Sequence, residues 1–176
     1  MRTALTDEQF LDQLGRYERS AFRLELQRVY TVGYERDLFD RFLAGNPEPP
    51  TTYGRFRAWY DEVAQRTASG VITERVRLFD EPPTDYQRWT RYMDRWNLEA
   101  GEVIHYLARA RALEAGLLEA FEGRDWWLLD GHRLMLMTYD NDGRRTHTEL
   151  STDDNTVQEA RWWRDLAIRT AQGDDG

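Results

Sequence analysis

Three histidines, His105, His132 and His147, are the side chains best suited to move a proton near neutral pH. His105 lies in the apolar alternation Val103-Ile104-His105-Tyr106-Leu107 and reads as a partly buried strand residue. His132 follows Gly131 in a turn and is expected to be exposed. His147 alternates with Thr146 and Thr148 and could face His105 or His132 across a sheet. No His-x-x-x-His spacing occurs, so no metal site is expected. Cysteine is absent, which removes thiolate nucleophiles, disulfides and zinc–thiolate sites. Lysine is absent too: all 24 basic residues are arginine. That removes Schiff-base chemistry and the phosphate-loop lysine. The serines, Ser20, Ser69 and Ser151, lie outside any Gly-x-Ser-x-Gly elbow. Acid pairs such as Asp80/Glu81, Asp125/Asp130 and Asp153/Asp154 are expected by chance among 32 acids. Asp140-Asn141-Asp142-Gly143 reads as a tight turn, because no glutamate follows at calcium-loop distance. The catalytic candidates are therefore His105, Asp130, His132 and His147, with no metal and no cofactor.

Aromatic residues and arginines carry the other signal. Tryptophan and arginine dominate interface hot spots. Arg88, Trp89 and Arg91 mix the two on one helix, while Trp126-Trp127 and Trp162-Trp163 are adjacent pairs. Neighbours on a strand point to opposite faces, so one of Trp126 and Trp127 should face something other than the core. Arg88, Trp89, Arg91, Trp126, Trp127 and Trp162 are thus the interface candidates. The competing reading covers them all with other elements of the same chain.

At 176 residues the chain is the size of one domain, long enough to bury roughly 70% of its unfolded surface. Its net charge of −8 disfavours direct nucleic-acid binding. Apolar runs are too short to cross a bilayer and the start lacks a signal region, so a cytoplasmic location is expected. Helices are expected over 7–19 (capping box Thr6/Gln9), 35–44, 53–69, 84–99 (capping box Thr84/Gln87), 108–121 and 153–171, the last capped near Thr152. Strands are expected over 22–26, 71–79, 103–107, 125–130, 133–139 and 144–150, the last three as an antiparallel meander. Asn46-Pro47-Glu48-Pro49-Pro50 is the clearest break. It divides a single domain, 1–176, into an N-terminal extension, 1–45, and a main α/β body, 53–171. Gly173-Asp174-Asp175-Gly176 reads as a frayed tail.

Pro82-Pro83-Thr84-Asp85-Tyr86-Gln87-Arg88-Trp89, Asn97-Leu98-Glu99-Ala100-Gly101-Glu102 and Asp125-Trp126-Trp127-Leu128-Leu129-Asp130 resemble an uncharacterised actinobacterial domain-of-unknown-function family, as do Phe22–Leu26 and Phe42–Gly45. Members tend to be encoded beside helix-turn-helix regulators, which implies regulation or partner binding. The element order from Val71 onward is also similar to a phospholipase D-type half-domain. In its His-x-Lys-x-x-x-x-Asp motif, Gly123 would stand for the histidine and Asp125 for the lysine, with Asp130 alone retained.

The expected fold is α/β or α+β, a mixed sheet flanked by helices and resembling a phospholipase D-type half-domain with an N-terminal helical extension. The expected function is a non-catalytic regulatory adaptor. Its partner would be a helix-turn-helix regulator or a small acidic accessory protein, and a homodimer would fit. The alternatives are a small-ligand or nucleotide module using a cleft near His105, Asp130 and His132, and a divergent enzyme with His105 or His147 as acid/base.

Overall fold

The computed structural model describes residues 2–173. In chain order its elements are β1 (Arg2–Ala4), α1 (Asp7–Gly15), β2 (Ser20–Glu25), α2 (Arg36–Leu43), α3 (Gly54–Ala68), β3 (Ile72–Phe79), α4 (Asp85–Glu99), β4 (Val103–Ala108), α5 (Arg109–Glu114), β5 (Asp125–Leu129), β6 (Arg133–Tyr139), β7 (Arg145–Ser151) and α6 (Asp154–Gln172). The fold is mixed α/β. One seven-stranded sheet runs β1-β7-β6-β5-β2-β3-β4. β2, β3 and β4 are parallel, and the remaining pairings are antiparallel. Parallel strands need crossovers, and those crossover helices cover the sheet. Here α3 and α4 are the crossovers, and with α2 they cover one face, while α5 and α6 cover the other.

Both capping boxes form: Thr6 with Gln9 and Thr84 with Gln87 each exchange two bonds at a helix start. The meander forms as read, turning at Gly143. There φ is 78°, and a Cβ would meet the Val29 carbonyl oxygen at 2.3 Å. Thr31 N donates to Gly143 O at 2.9 Å, so this turn anchors the segment after β2.

Several expectations are corrected. Residues 1–45 are no appendage, because β2 lies between β5 and β3 near the sheet centre. α1 stops at Gly15, since Tyr17 turns inward to bond Thr73 Oγ1 at 2.8 Å and the chain must then enter β2. The helix read over 108–121 is six residues long. Gly116 breaks it at φ 75°, and a 3-10 run over Leu117–Gly123 buries Leu117 and Phe121. α6 is capped by Asp153, whose Oδ1 accepts from Thr156 N, and not by Thr152. β1 was not foreseen; it is short, exposed, and pairs with β7. Trp126 and Trp127 are both buried, because helices cover both faces. Of the expected tail, Gly173 caps α6 and residues 174–176 lie outside the described residues.

Candidate functional site

Alternation along β2 sends Phe22, Leu24 and Leu26 into the core beneath α6, so Arg23 and Glu25 point to the opposite face. Beside it, β3 sends Val76 and Leu78 to that core and Arg75 and Arg77 to the face of Arg23. That second face is not solvated. α3 and α4 cover it, α4 adds Asp94, and the chain entering β4 adds Glu102. A buried layer of three guanidiniums and three carboxylates results.

The layer is tightly bonded at one end. Arg77 Nε donates to Glu25 Oε2 at 2.6 Å, and its Nη1 donates to Asp94 Oδ1 at 2.9 Å. Arg75 Nε donates to Glu102 Oε1 at 2.5 Å and its Nη1 to Glu25 Oε1 at 3.2 Å. Tyr106 closes the end by donating to Asp94 Oδ2 at 2.7 Å. Burial raises the Glu25 pKa, but Arg23, Arg77 and Arg75 outweigh it and hold the carboxyl at about 2.

Arg23 is different. Its side chain is 19% exposed and donates no hydrogen bond to any described residue. Nε comes within 3.1 Å of Glu25 Oε1, yet off the N–H direction. The guanidinium is held by aromatic rings, with Cζ 5.5 Å from the Tyr30 centroid and 5.3 Å from that of Trp127. Trp127 Nε1 is also buried without an acceptor. A guanidinium carries five donors, and burying it unbonded is costly. A guanidinium held in place by rings, with Glu25 as its one ion pair, keeps donors for bidentate capture of a carboxylate or phosphate.

Two acids flank Arg23. Asp125 accepts from Leu26 N at 3.0 Å, from Gln27 Nε2 at 3.1 Å and from the Tyr30 hydroxyl. Burial nevertheless pushes it up to about 6, against Arg23 and those donors. Glu35, in the 3-10 turn before α2, accepts from the Tyr86 hydroxyl at 2.8 Å. Burial pushes it up to about 7, against the pull of Tyr86 and Arg23. At the outer side, Tyr34 stands under the Arg55 guanidinium at 4.6 Å and edge-on to Phe56.

Of the sequence-derived catalytic candidates only Asp130 and His132 come together; His105 and His147 lie elsewhere. Asp130 N bonds Ser20 O at the start of β2, whereas His105 is level with Val76 and Leu24 on the far edge strand. They are separated by roughly 14 Å across the strands and a further ~13 Å along them. Asp130 is occupied structurally: it accepts from the backbone N–H of Glu18, Arg19 and Ser20 and from Arg133. Burial works against ionisation, but those donors outweigh it and hold the carboxyl at about 2. His132 is exposed beside it, with Nδ1 3.3 Å from Asp130 O. His105 Nε2 is 2.8 Å from Glu74 Oε1. His147 forms the chain's one His-x-Glu pair, with Nε2 3.8 Å from Glu149 Oε1. Among the described residues no three metal-ligating side chains converge.

The interface candidates separate as well. Trp89, Trp126 and Trp127 are buried in the chain's own core. Arg88 is exposed and pairs with Asp85, and Arg91 stands 4.0 Å over the Tyr106 ring. Trp162 is 53% exposed and edge-on to Trp163 at 4.6 Å. Among the described residues no helix is long and apolar enough to cross a membrane.

Fold and site together define a mixed α/β protein with a buried arginine–carboxylate layer on one face of its sheet, fully hydrogen-bonded at Arg75 and Arg77 and less so at Arg23. The chain belongs to a domain-of-unknown-function family (DUF6879), whose model matches residues 8–173 and so spans every residue of the layer. No curated protein matches it.

Proposed function

We propose that this chain is a non-catalytic regulatory adaptor whose responsive element is Arg23, where an anionic group of a small ligand is bound. The observation that carries the reading is a ring-clamped, largely buried guanidinium with no hydrogen-bond acceptor. Catalysis is the weaker reading, because His105 and His147 lie away from the Asp130–His132 pair and the Asp130 carboxylate is taken up by three backbone N–H groups and Arg133. On this view the phospholipase D-type scaffold has exchanged its chemistry for binding, with Asp125 buried against Tyr30 where that motif places lysine.

Inorganic phosphate is the first probe. At about ten times its Kd it should raise the melting temperature by about 3–5 °C through mass action. Arg23→Gln should lose that rise while keeping native circular dichroism. An equal rise in both proteins would mean general salt stabilisation and would reject the site.

The partner in this reading is a helix-turn-helix regulator or a small acidic accessory protein, docking on the α6 surface that presents Trp162. A tagged pull-down from the native host should return it at near-equal stoichiometry, with recovery reduced at least tenfold by Trp162→Ala. Recovery unaffected by that substitution would remove Trp162 from the interface. A homodimer belongs to the same reading, and light scattering measures it directly.

A further inference from the structure

A cleft of about 260 Å³ opens where the C-terminal ends of β3 and β4 meet the first turns of α4. Crevices at the carboxyl ends of parallel strands are where α/β folds place ligands. Phe79, Pro83 and the Tyr106 ring give it apolar walls. Its inner polar groups are already committed. Gln87 Oε1 accepts from Asp80 N and Thr84 N, and its Nε2 donates to Asp80 Oδ2 at 2.8 Å. Asp80 also takes Arg109 at 2.8 Å and Arg28 at 3.2 Å. Arg77 and Tyr106 are held by the buried layer.

The rim differs from the interior. Arg91 stands over the Tyr106 ring and meets no carboxylate among the described residues. Arg88, one turn earlier, is exposed and pairs only with Asp85. Glu81 is the exposed acid on the rim. An apolar interior with no free polar group rewards a hydrophobic body, and a planar fork at the mouth rewards a carboxylate. The volume falls below the ~300–1,000 Å³ typical of drug-sized ligand sites, so it takes one or two fused rings.

We propose that this cleft binds a small aromatic carboxylate, with its ring against Phe79, Pro83 and Tyr106 and its carboxylate on the Arg91 guanidinium. The site is independent of Arg23, which does not line this cleft.

Calorimetric titration with naphthoate tests this, with naphthylmethanol as the neutral isostere. Naphthoate should bind saturably with a Kd of about 1 mM or tighter. Naphthylmethanol should bind at least about tenfold more weakly, since it lacks the charge-assisted pair. Arg91→Ala, an exposed position on α4, should weaken naphthoate about tenfold, and Arg23→Gln should leave it unchanged. Absence of saturable binding, equal binding of the alcohol, or full affinity in Arg91→Ala would overturn the proposal. Loss of binding only in Arg23→Gln would place the carboxylate at the other site and equally overturn it.

Discussion

Arg77→Met lowers the unfolding free energy by about 3–5 kcal/mol, measured by urea denaturation with an unchanged m-value. Arg77 joins Glu25 on β2 to Asp94 on α4, and both carboxylates are buried. Glu25 keeps Arg75 and Arg23 after the substitution. Asp94 keeps only the Tyr106 hydroxyl. A buried charge left without its partner costs more than the intact pair contributes, because its desolvation is no longer offset. Against a total stability of ~5–15 kcal/mol this is a large fraction. Adding Asp94→Leu to Arg77→Met removes the stranded charge and should recover at least about half of the loss. A single variant within about 1 kcal/mol of wild type would mean that water reaches the layer and screens it.

Stability should fall as pH rises from about 4 to about 7, opposite to the usual behaviour of paired carboxylates. Glu35 and Asp125 have ordinary values of 4.5 and 3.8 and are pushed up to about 7 and about 6 by burial. The folded chain therefore holds protons that the unfolded chain has released. Their contribution is complete below about pH 4 and is lost as pH rises through 6 to 7. Each shift is worth up to ~3 kcal/mol. Glu35 is only half-buried and screened, so a total fall of roughly 2–4 kcal/mol is expected. Glu25 works in the other direction: held at about 2, it contributes above its ordinary 4.5 and loses that contribution as pH falls towards 2. Denaturation series across this range should thus peak near about pH 4. Glu35→Gln and Asp125→Asn should flatten the alkaline limb, which separates their effect from the general repulsion of a chain with net charge −8. A wild-type profile that is flat or rising above pH 5 would contradict the burial of both acids.

The strands, the meander and two capping boxes were legible because their signals are local. Thr6/Gln9 and Thr84/Gln87 need only four residues to declare themselves. The arginine–carboxylate layer was not legible, for a definite reason. Arg23/Glu25 and Arg75/Arg77 alternate with apolar residues, which is the pattern of a strand with one solvated face. Only the parallel pairing of β2, β3 and β4 requires helices over that face and turns a solvent pattern into a buried one. The same coverage buries both Trp126 and Trp127, where strand alternation alone promised one exposed ring. Gly116 was the missed signal in the helix read over 108–121, since a left-handed glycine ends a helix as surely there as at Gly45. Histidines drew attention by residue type, yet Asp130 and His105 are held apart by a sheet order that no local pattern encodes.

The most direct measurement is the NMR resonance of the Arg23 Nε–H during titration with inorganic phosphate, assigned by its loss in Arg23→Gln. A saturable shift of that resonance is expected, with those of Arg75 and Arg77 still because both are already hydrogen-bonded to carboxylates. An unmoved Arg23 resonance at saturating phosphate, or equal movement of all three arginines, would contradict an open guanidinium as the binding element.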